Sequence, residues 1–473
     1  MRIGNLRIGF ATNSSSSHSI IIVKDPNKVT TLSGNSYDGG YGWENFILKD
    51  EDDKLHYLAA QMKTALGDVF GDKICTLIVN DFFKDAIDHL PSPGSVDHQS
   101  ALSLPVSRNK EYIPEEFYQE LKSFFQRQDI VIVGGNDNSD EDLLDTLKTK
   151  YEKVYFPEIY DNIWVKKQKK GWWTFFSPNT GNKLTFNFSS NAQPLEKAVT
   201  PDLIDMKITD YCESGCIYCY QDSSRKGKHA EEENIRNLIR PLKDMNVFEI
   251  ALGGGEATKH PDFLHILRMI REENIIPNFS TKSFEWMRDT PTVMAVNKYA
   301  GKVGFSCSSV DEVRALTYHI EKSGLEEKKF TVHYVLGSNT INEFEKIVRS
   351  LANTGMRLLI LGYKKVGRGC NFTPYDNSQW PSIAMNYWIE VGVDTCAAKQ
   401  YKKDLKNLRV NDKLYFTEEG KFSMYIDAVE SKVARSSFEK NPGDYTSIKE
   451  LLGAKGWDSV TVASELVRTF NGY

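Results

Sequence analysis

The chain lacks the features that mark membrane, secreted and polyanion-binding proteins. No apolar run approaches the ~20 residues that a membrane-spanning helix needs. The N-terminal segment MRIGNLRIGFATNSSSSHS has no long apolar core of the kind found in secretion signals. The net charge over 473 residues is −5, which is small and negative, and this argues against a dedicated polyanion-binding protein. We therefore expect a cytoplasmic protein that does not associate with membranes.

Cysteine is scarce and unevenly placed. There are seven cysteines, and three of them, Cys212, Cys216 and Cys219, lie within eight residues of one another. An odd number with this clustering argues against a disulfide framework. In a reducing compartment, a tight group of thiols indicates metal ligation instead.

The length and the changing sequence pattern predict several domains. We assign residues 1–160 to an N-terminal α+β domain of unknown role and residues 161–200 to a linking β-meander. The meander prediction depends on three short aromatic or β-branched runs, IWVKKQ, GWWTFF and KLTFNF, separated by turn residues. Residues 201–375 form an α/β unit, and residues 376–473 form a C-terminal extension with a β-hairpin over Lys413–Thr417 and Lys421–Ile426.

Strand and helix patterns alternate from Leu203 onward. The predicted strands are Leu203–Thr209, Val247–Leu252, Pro277–Thr281, Val303–Cys307, Thr331–Leu336 and Arg357–Leu361. Six such strand–helix units predict parallel strands with right-handed crossovers, in an open sheet or a barrel. Functional residues in both architectures gather at the carboxyl ends of the strands, and the cysteine group directly follows the first strand.

The segment ITDYCESGCIYCYQ gives the cysteines the spacing Cys-x3-Cys-x2-Cys. Soft thiolates this close together suit an iron–sulfur cluster or zinc. A four-iron cluster bound by three cysteines leaves one iron without a protein ligand. The zinc alternative needs a fourth ligand, and His229 would complete a Cys3His site.

The pattern Cys-x3-Cys-x-aromatic-Cys, with Tyr218 at the aromatic position, resembles the signature of the radical S-adenosylmethionine (SAM) superfamily. The resemblance implies a [4Fe-4S] cluster bound by the three cysteines, with SAM on the open iron. One electron then splits SAM and forms a 5′-deoxyadenosyl radical that abstracts hydrogen from a substrate. It also implies a partial (β/α)6, TIM-like barrel over 201–375 and a role for Tyr218 in seating the adenine.

A glycine-rich turn, Gly253-Gly254-Gly255-Glu256, follows the second predicted strand. The resemblance implies that Gly254, Gly255 and Glu256 meet the amino group of SAM. The residue types agree, because glycines let the backbone approach a ligand closely and a carboxylate binds an ammonium group.

Further strand-end residues match positions that contact SAM in the family. Those assigned on this basis are Thr281, Ser306 and Ser308 for the carboxylate and ribose, His333 and Asn339 for the ribose, and Gly362 for the adenine. Each position also fits ordinary loop chemistry. Asp205 and Lys207 point to one face of the first strand, either near the substrate or as a charge pair within the barrel.

We expect a single cluster, because family members with auxiliary clusters carry several more closely spaced C-terminal cysteines. Cys307 is expected to be a buried thiol, and Cys370 and Cys396 either free thiols or a pair with a shared role. The serine-rich tract Asn13–Ser19, NSSSSHS, is similar to a signature found in poorly characterised bacterial and phage proteins and implies no mechanism.

The resemblance favours an enzyme that modifies a peptide or protein, since an extra domain in this family often grips a leader segment. Modification of a nucleotide or nucleobase is the alternative within the family. The non-enzymatic alternative is a scaffold that keeps a structural metal. The enzyme would take its electron from a flavodoxin or a ferredoxin.

Overall fold

The computed structural model falls into two units, residues 1–193 and residues 194–473. It describes residues 2–7, 16–22, 40–41, 46–86, 95–96, 102, 104–106, 112–136, 152–154, 163–189, 191–352, 354–387, 389–407, 415–439, 441–453 and 458–473. Within these ranges, no helix combines the length and the hydropathy that crossing a membrane requires.

The first unit mixes helices with three small sheets. Its elements are β1 (Arg2–Arg7), β2 (Ser16–Ile22), β3 (Gly40–Tyr41), β4 (Phe46–Leu48), α1 (Glu51–Phe70), α2 (Asp72–Phe83), β5 (Ser95–Val96), α3 (Glu115–Phe125), β6 (Ile130–Asn136), β7 (Glu152–Val154), β8 (Trp164–Lys167), β9 (Trp172–Phe176) and β10 (Lys183–Asn187). The strand orders are β1-β10-β9-β8, β4-β6-β2-β7 and β3-β5. The predicted meander is therefore present as β8, β9 and β10, which pair antiparallel.

The meander packs into the hydrophobic core of the first unit. Helix α3 buries Phe117, Leu121 and Phe124, which recur at the spacing of one helical face. The Phe117 ring lies 5.2 Å from the Trp173 ring and 5.1 Å from the Phe175 ring of β9, edge to face in both cases. Residues of the predicted linking element thus contribute to the core of this unit.

Part of the serine-rich tract is strand. Ser16–Ser19 lie in β2, where they pair with β6. Asn13–Ser15 lie outside the described residues.

The second unit is built on one large sheet. Its elements begin with β11 (Leu203–Thr209), α4 (Glu232–Asp244), β12 (Glu249–Gly254), α5 (Phe263–Glu272), β13 (Ile276–Thr281), α6 (Thr290–Tyr299), β14 (Val303–Ser306), α7 (Val310–Ser323), β15 (Phe330–Val335), α8 (Ile341–Leu351), β16 (Arg357–Leu361), α9 (Trp380–Met385) and β17 (Val391–Val393). They end with α10 (Thr395–Gln400), α11 (Lys402–Asn407), β18 (Ser423–Asp427), β19 (Lys432–Ala434), β20 (Thr446–Ser447), α12 (Ile448–Leu452) and α13 (Ser459–Gly472). The strand order is β17-β16-β15-β14-β13-β12-β11-β18-β19-β20.

The six predicted strands are β11 to β16, and neighbours pair in parallel. The crossover helices cover one face of the sheet because their apolar residues recur every three or four positions. In α4 the buried residues include Ile235, Leu238 and Leu242, which share a core with Ile204 and Met206 of β11. Asp205 lies between these two core residues and so points to the opposite face, toward the lumen of the partial barrel.

The C-terminal hairpin is present, but its strands differ from those predicted. Residues 415–417 form no strand, and residues 408–414 lie outside the described ranges. The hairpin consists of β18 and β19, and β18 also pairs in parallel with β11. The predicted turn over 418–420 therefore precedes the hairpin. The barrel sheet thus includes β18, a strand from the C-terminal part of the chain. Turn residues do not encode a pairing between segments so far apart in the sequence.

Candidate active site

The three cysteines lie on the segment that joins β11 to α4, here named the cysteine loop (residues 210–230). Backbone hydrogen bonds fix its ends: the Asp210 amide donates to the Lys228 carbonyl over 2.7 Å, and the Cys212 amide donates to the Ser224 carbonyl over 3.0 Å. The loop follows the carboxyl end of β11, the position that the α/β architecture assigns to functional residues.

The cysteine thiols are free and partly exposed. Burial raises the pKa of Cys216, the nearby Lys282 ammonium lowers it, and the charges of Cys219 and Cys212 raise it. The three thiols thus lie close enough to influence one another. Over the described ranges, no three His, Cys, Asp or Glu side chains stand in the arrangement of a bound metal ion. The donor set itself, three soft thiols on one short loop, fits an iron–sulfur cluster with one open iron.

The Gly-Gly-Glu turn is docked on the cysteine loop. The Gly255 amide donates to the Thr209 carbonyl and the Glu256 amide to the Tyr211 carbonyl, both over 2.7 Å. A Cβ atom on Gly255 would lie 2.1 Å from the Tyr211 carbonyl oxygen, so the approach requires glycine. Gly254 has a φ of 109°, a second reason for glycine in this turn. The structure thus brings the two predicted motifs together.

Glu256 is buried, with 4% of its surface exposed, and both carboxylate oxygens have partners. Oε1 accepts hydrogen bonds from the Thr258 and Thr281 hydroxyls, each over 2.6 Å. Oε2 accepts from the Lys282 amide over 2.8 Å. Glu256 therefore ties the end of β12 to the end of β13, and Thr281 contacts Glu256 directly. Their contact with SAM stays a prediction.

Tyr218 is partly buried and lies between the second and third cysteines in the sequence. Its ring centroid is 5.7 Å from that of Phe372, and burial raises the pKa of its hydroxyl. Glu312 accepts hydrogen bonds from the Ser308 amide over 2.5 Å and the Ser308 hydroxyl over 3.1 Å, and it forms an ion pair of 2.9 Å with Lys282. The structure thus gathers Tyr218 and Ser308 with a Lys282–Glu312 pair that the sequence reading missed.

The remaining predicted residues lie at the ends of β14 to β16. Ser306 is opposite His333 in the paired strands β14 and β15. Burial lowers the pKa of His333 to about 4, so its ring is neutral at physiological pH. Asn339 donates its side-chain amide to the Ser308 carbonyl over 3.0 Å. Gly362 donates its backbone amide to the Asp394 carboxylate over 2.9 Å.

Gly362 has little free space around it. A Cβ atom there would lie 2.6 Å from the Ala397 nitrogen and 2.6 Å from the Cys396 sulfur. Gly362 is thus packed against the start of α10, and its contact with the adenine stays a prediction.

Charged side chains from several elements face the lumen near the cysteine loop. Lys207 forms ion pairs with Asp427 of β18 over 2.6 Å and with Asp210 over 2.8 Å. Its partners are thus Asp427 and Asp210 rather than Asp205, and the pairing with Asp427 arises because β18 lies beside β11. No sequence signal identifies this pairing, since it depends on where the chain end joins the sheet.

A second charged group surrounds Lys364, which follows β16. Lys364 lies 3.4 Å from the Asp394 carboxylate, and its ammonium group is 4.8 Å from the Tyr220 ring. Burial raises the pKa of Asp205 to about 6 and that of Glu419 to about 7, while Lys364 lowers both. Burial thus raises the pKa of two carboxyl groups near Lys364.

His229 does not support the zinc alternative. Its Nδ1 lies 2.9 Å from the Thr209 hydroxyl, and its ring packs against Tyr211 and His260. The ring belongs to the packing around the end of β11.

The other thiols are separate from the cysteine loop. Cys307 is buried, and burial raises its pKa to about 12. Cys370 is exposed and Cys396 partly exposed, and both are free. Burial raises the pKa of Cys396 to about 11, so its thiol is protonated at neutral pH.

Comparison with known proteins identifies the family of the second unit. The family model of the radical SAM superfamily matches residues 206–363. The mycofactocin maturase MftC of Mycolicibacterium smegmatis is 22% identical over 190 residues, which cover 36% of this chain and 47% of that protein. The GTP 3′,8-cyclase of Pasteurella multocida is 26% identical over 167 residues, 34% of this chain and 42% of that protein. The chain thus spans less than half the length of these relatives.

Among solved structures, Streptococcus suis SuiB bound to S-adenosylmethionine aligns with a TM-score of 0.47 and 12% identity, over 61% of this chain and 85% of that one. The family match extends from β11 to the end of β16, so it includes the cysteine loop, the Gly-Gly-Glu turn and the strand ends described above. Members of this family use a [4Fe-4S] cluster and SAM. The second unit thus contains a radical SAM domain over residues 206–363.

Proposed function

We propose that this chain is a radical SAM enzyme whose cluster is held by Cys212, Cys216 and Cys219. The observation that carries the proposal is the docking of the Gly-Gly-Glu turn where β11 enters the cysteine loop, through two backbone hydrogen bonds of 2.7 Å, one to Thr209 of the strand and one to Tyr211 of the loop. The contact brings the three cysteine thiols, which are soft metal ligands, next to a glycine turn whose backbone a ligand can approach closely. Both lie at the carboxyl ends of adjacent strands. When bound, the cluster and SAM supply one-electron cleavage of SAM and the 5′-deoxyadenosyl radical.

The residues of the chain have distinct tasks in this proposal. The three thiolates hold the cluster, and the backbone of Gly254 and Gly255 allows the amino group of SAM to approach. Glu256 fixes the turn through Thr281 and the Lys282 amide and adds negative charge near that amino group. Tyr218 forms an aromatic wall beside the cluster. The lumen must also keep water and oxygen away from the radical.

We propose a peptide or protein as the substrate. The first unit supports this, because it has its own hydrophobic core outside the radical SAM domain and is available to bind a leader segment. A nucleotide is the second candidate, favoured by the similarity to a GTP 3′,8-cyclase. A flavodoxin or ferredoxin as electron donor and a cytoplasmic location stay predictions.

Metal analysis of the reconstituted protein tests the first part of the proposal. After anaerobic incubation with iron and sulfide, we expect about four irons and four sulfides per chain, and an electron paramagnetic resonance spectrum that SAM perturbs after reduction. Cys212→Ala is expected to lose both signals. One tightly bound zinc and no iron would instead support the metal-binding scaffold.

The substrate class is tested by supplying each candidate to the loaded enzyme. Mass spectrometry on a mixture of peptides encoded near the gene follows a peptide reaction, and chromatography follows the consumption of GTP. A change in peptide mass that needs SAM supports the peptide substrate. Consumption of GTP with unchanged peptides contradicts it and supports the nucleotide.

A further inference from the structure

The cysteine loop is held from a second direction by the segment after β16. Arg368 lies in the short 3-10 helix Gly367–Asn371. Its Nε donates to the Cys216 carbonyl over 3.0 Å, and its Nη1 donates to the Asp222 carboxylate over 3.0 Å. One guanidinium group thus spans the stretch from the second cysteine to Asp222, which follows the third cysteine. The two segments lie about 150 residues apart in the sequence.

Backbone packing brings the two segments into direct contact. Gly367 has a φ of 56°, and a Cβ atom there would lie 2.5 Å from the Tyr220 carbonyl oxygen and 2.9 Å from the Cys219 carbonyl oxygen. A Cβ atom on Gly369 would lie 2.6 Å from the Lys364 carbonyl oxygen. Gly367 therefore allows the backbone before Arg368 to approach the loop, while Gly369 allows the segment to fold closely onto its own Lys364 carbonyl.

Side chains on both sides of Arg368 extend this contact. The Phe372 ring lies 5.7 Å from the Tyr218 ring, and the Lys364 ammonium lies 4.8 Å from the Tyr220 ring. Contacts from residues 364–372 thus fall on consecutive parts of the loop around Cys219. We call residues 364–372 the brace segment.

We propose that Arg368 is a positioning residue that holds the cysteine loop in its cluster-binding conformation before the cluster arrives. Asp222 has a φ of 54°, in the left-handed region, which Asp adopts more readily than most residues but less readily than glycine, and its ion pair with Arg368 helps to hold it there. The planar guanidinium group of Arg368 donates to both the Cys216 carbonyl and the Asp222 carboxylate, and so supports the loop with a fixed geometry.

The inference deepens the proposed function and rests on it for the identity of the cluster. Residues that orient metal ligands without touching the metal change metal affinity by about tenfold to a hundredfold when replaced. We therefore expect Arg368→Ala to release iron to a chelator about tenfold or more faster than the wild type. Asp222→Asn, which keeps a side-chain acceptor oxygen but removes its negative charge, should have a smaller effect in the same direction.

A measurement on the protein without cluster tests the brace by itself. Hydrogen–deuterium exchange of the full chain should show faster exchange over residues 212–224 in Arg368→Ala, with exchange in the first unit unchanged. Arg314→Ala is the matched control, because Arg314 is an exposed arginine that pairs with Asp311 on a surface helix. It should leave both the loop exchange and the iron release at wild-type values.

Arg368→Lys separates the fork from the charge. Lysine keeps the positive charge but lacks the planar fork, so its iron release and its electron paramagnetic resonance spectrum should lie between those of Arg368→Ala and wild type. The inference is overturned if Arg368→Ala matches the wild type in loop hydrogen–deuterium exchange and in iron release. It is also overturned if Arg368→Lys is indistinguishable from the wild type. A wild-type chain that takes up no iron refutes the proposed function instead, and the exchange experiment still decides whether the brace exists.

Discussion

At the scale of single residues, Glu256 connects the cofactor turn to the rest of the barrel. Sequence similarity assigns it to the amino group of SAM, but its carboxylate also accepts hydrogen bonds from Thr258, Thr281 and the Lys282 amide. The same carboxylate thus carries a charge and accepts the hydrogen bonds that hold the turn in place. A substitution at this position is therefore expected to change the shape of the turn as well as the charge that the proposed function presents to SAM.

Glu256→Gln is expected to weaken SAM binding at least about tenfold, because an amide cannot accept all of these hydrogen bonds and leaves a buried donor unpaired. Isothermal titration of the reconstituted protein measures the change. Glu249→Gln is the matched control: Glu249 is also buried on β12, at the opposite end of the strand, and accepts from Asn278. The account is contradicted if both variants bind SAM alike.

Asp205 gives the barrel a pH-dependent stability. Burial raises the pKa of Asp205 from 3.8 to about 6, so the folded chain holds this proton more tightly than the unfolded chain. The carboxyl group therefore lowers stability progressively as the pH rises from about 4 to about 6, and the full cost remains above pH 6.

Asp205→Asn should accordingly raise the free energy of unfolding by about 1–2 kcal/mol at pH 8 and by much less at pH 4.5. Thermal melts at the two pH values measure the difference. Glu321→Gln, at an exposed position of α7, should show no such difference. An equal effect of Asp205→Asn at both pH values would show that burial of this carboxyl group does not shift its proton affinity.

At the scale of elements, the site is a set of loops docked on one another at the carboxyl ends of parallel strands. The cysteine loop after β11 contacts the turn after β12 on one side and the brace segment after β16 on another. The first contact depends on Gly255, because no side chain fits between the turn and Tyr211. Cluster binding should therefore be sensitive to small changes in these loops.

Gly255→Ala should lower the free energy of unfolding by about 1–3 kcal/mol, because its methyl group meets the Tyr211 carbonyl. It should also reduce iron uptake. Gly253→Ala is the matched control, since nothing lies within 4 Å of a Cβ atom there. Denaturant titration and iron analysis of both variants provide the test, and equal results for the two would contradict the docking described here.

The sequence predicts elements whose evidence is local and misses contacts that join distant segments. Strands β11 and β16 match their predicted bounds because each is a short run bounded by clear breaks. The pairing of β18 with β11 and the contact of Arg368 with Cys216 connect segments more than 100 residues apart. Periodicity and turn residues carry no information about such pairings. The motifs thus locate the site, while its supports become visible only in the fold.

At the scale of the whole molecule, the two units have separate hydrophobic cores. The first core lies within residues 41–188, and the second lies within residues 198–470. The radical SAM match lies wholly within the second unit. The cluster and SAM chemistry should therefore reside in the second unit, and substrate selection should depend on the first.

A chain truncated to residues 194–473 should fold, bind the cluster and cleave SAM without modifying the substrate. Iron analysis, circular dichroism and the mass of the substrate after incubation measure the three properties. The full-length chain treated in parallel is the control. Substrate modification by the truncated chain at the full-length rate would remove the proposed role of the first unit.

The central claim is that Cys212, Cys216 and Cys219 hold a cluster that cleaves SAM. Its most direct test is an anaerobic assay in which the reconstituted protein is reduced with dithionite, supplied with SAM and analysed by chromatography for 5′-deoxyadenosine. We predict 5′-deoxyadenosine from the wild type and none from the three single cysteine-to-alanine variants. A colourless protein that binds one zinc and forms no 5′-deoxyadenosine would contradict the account.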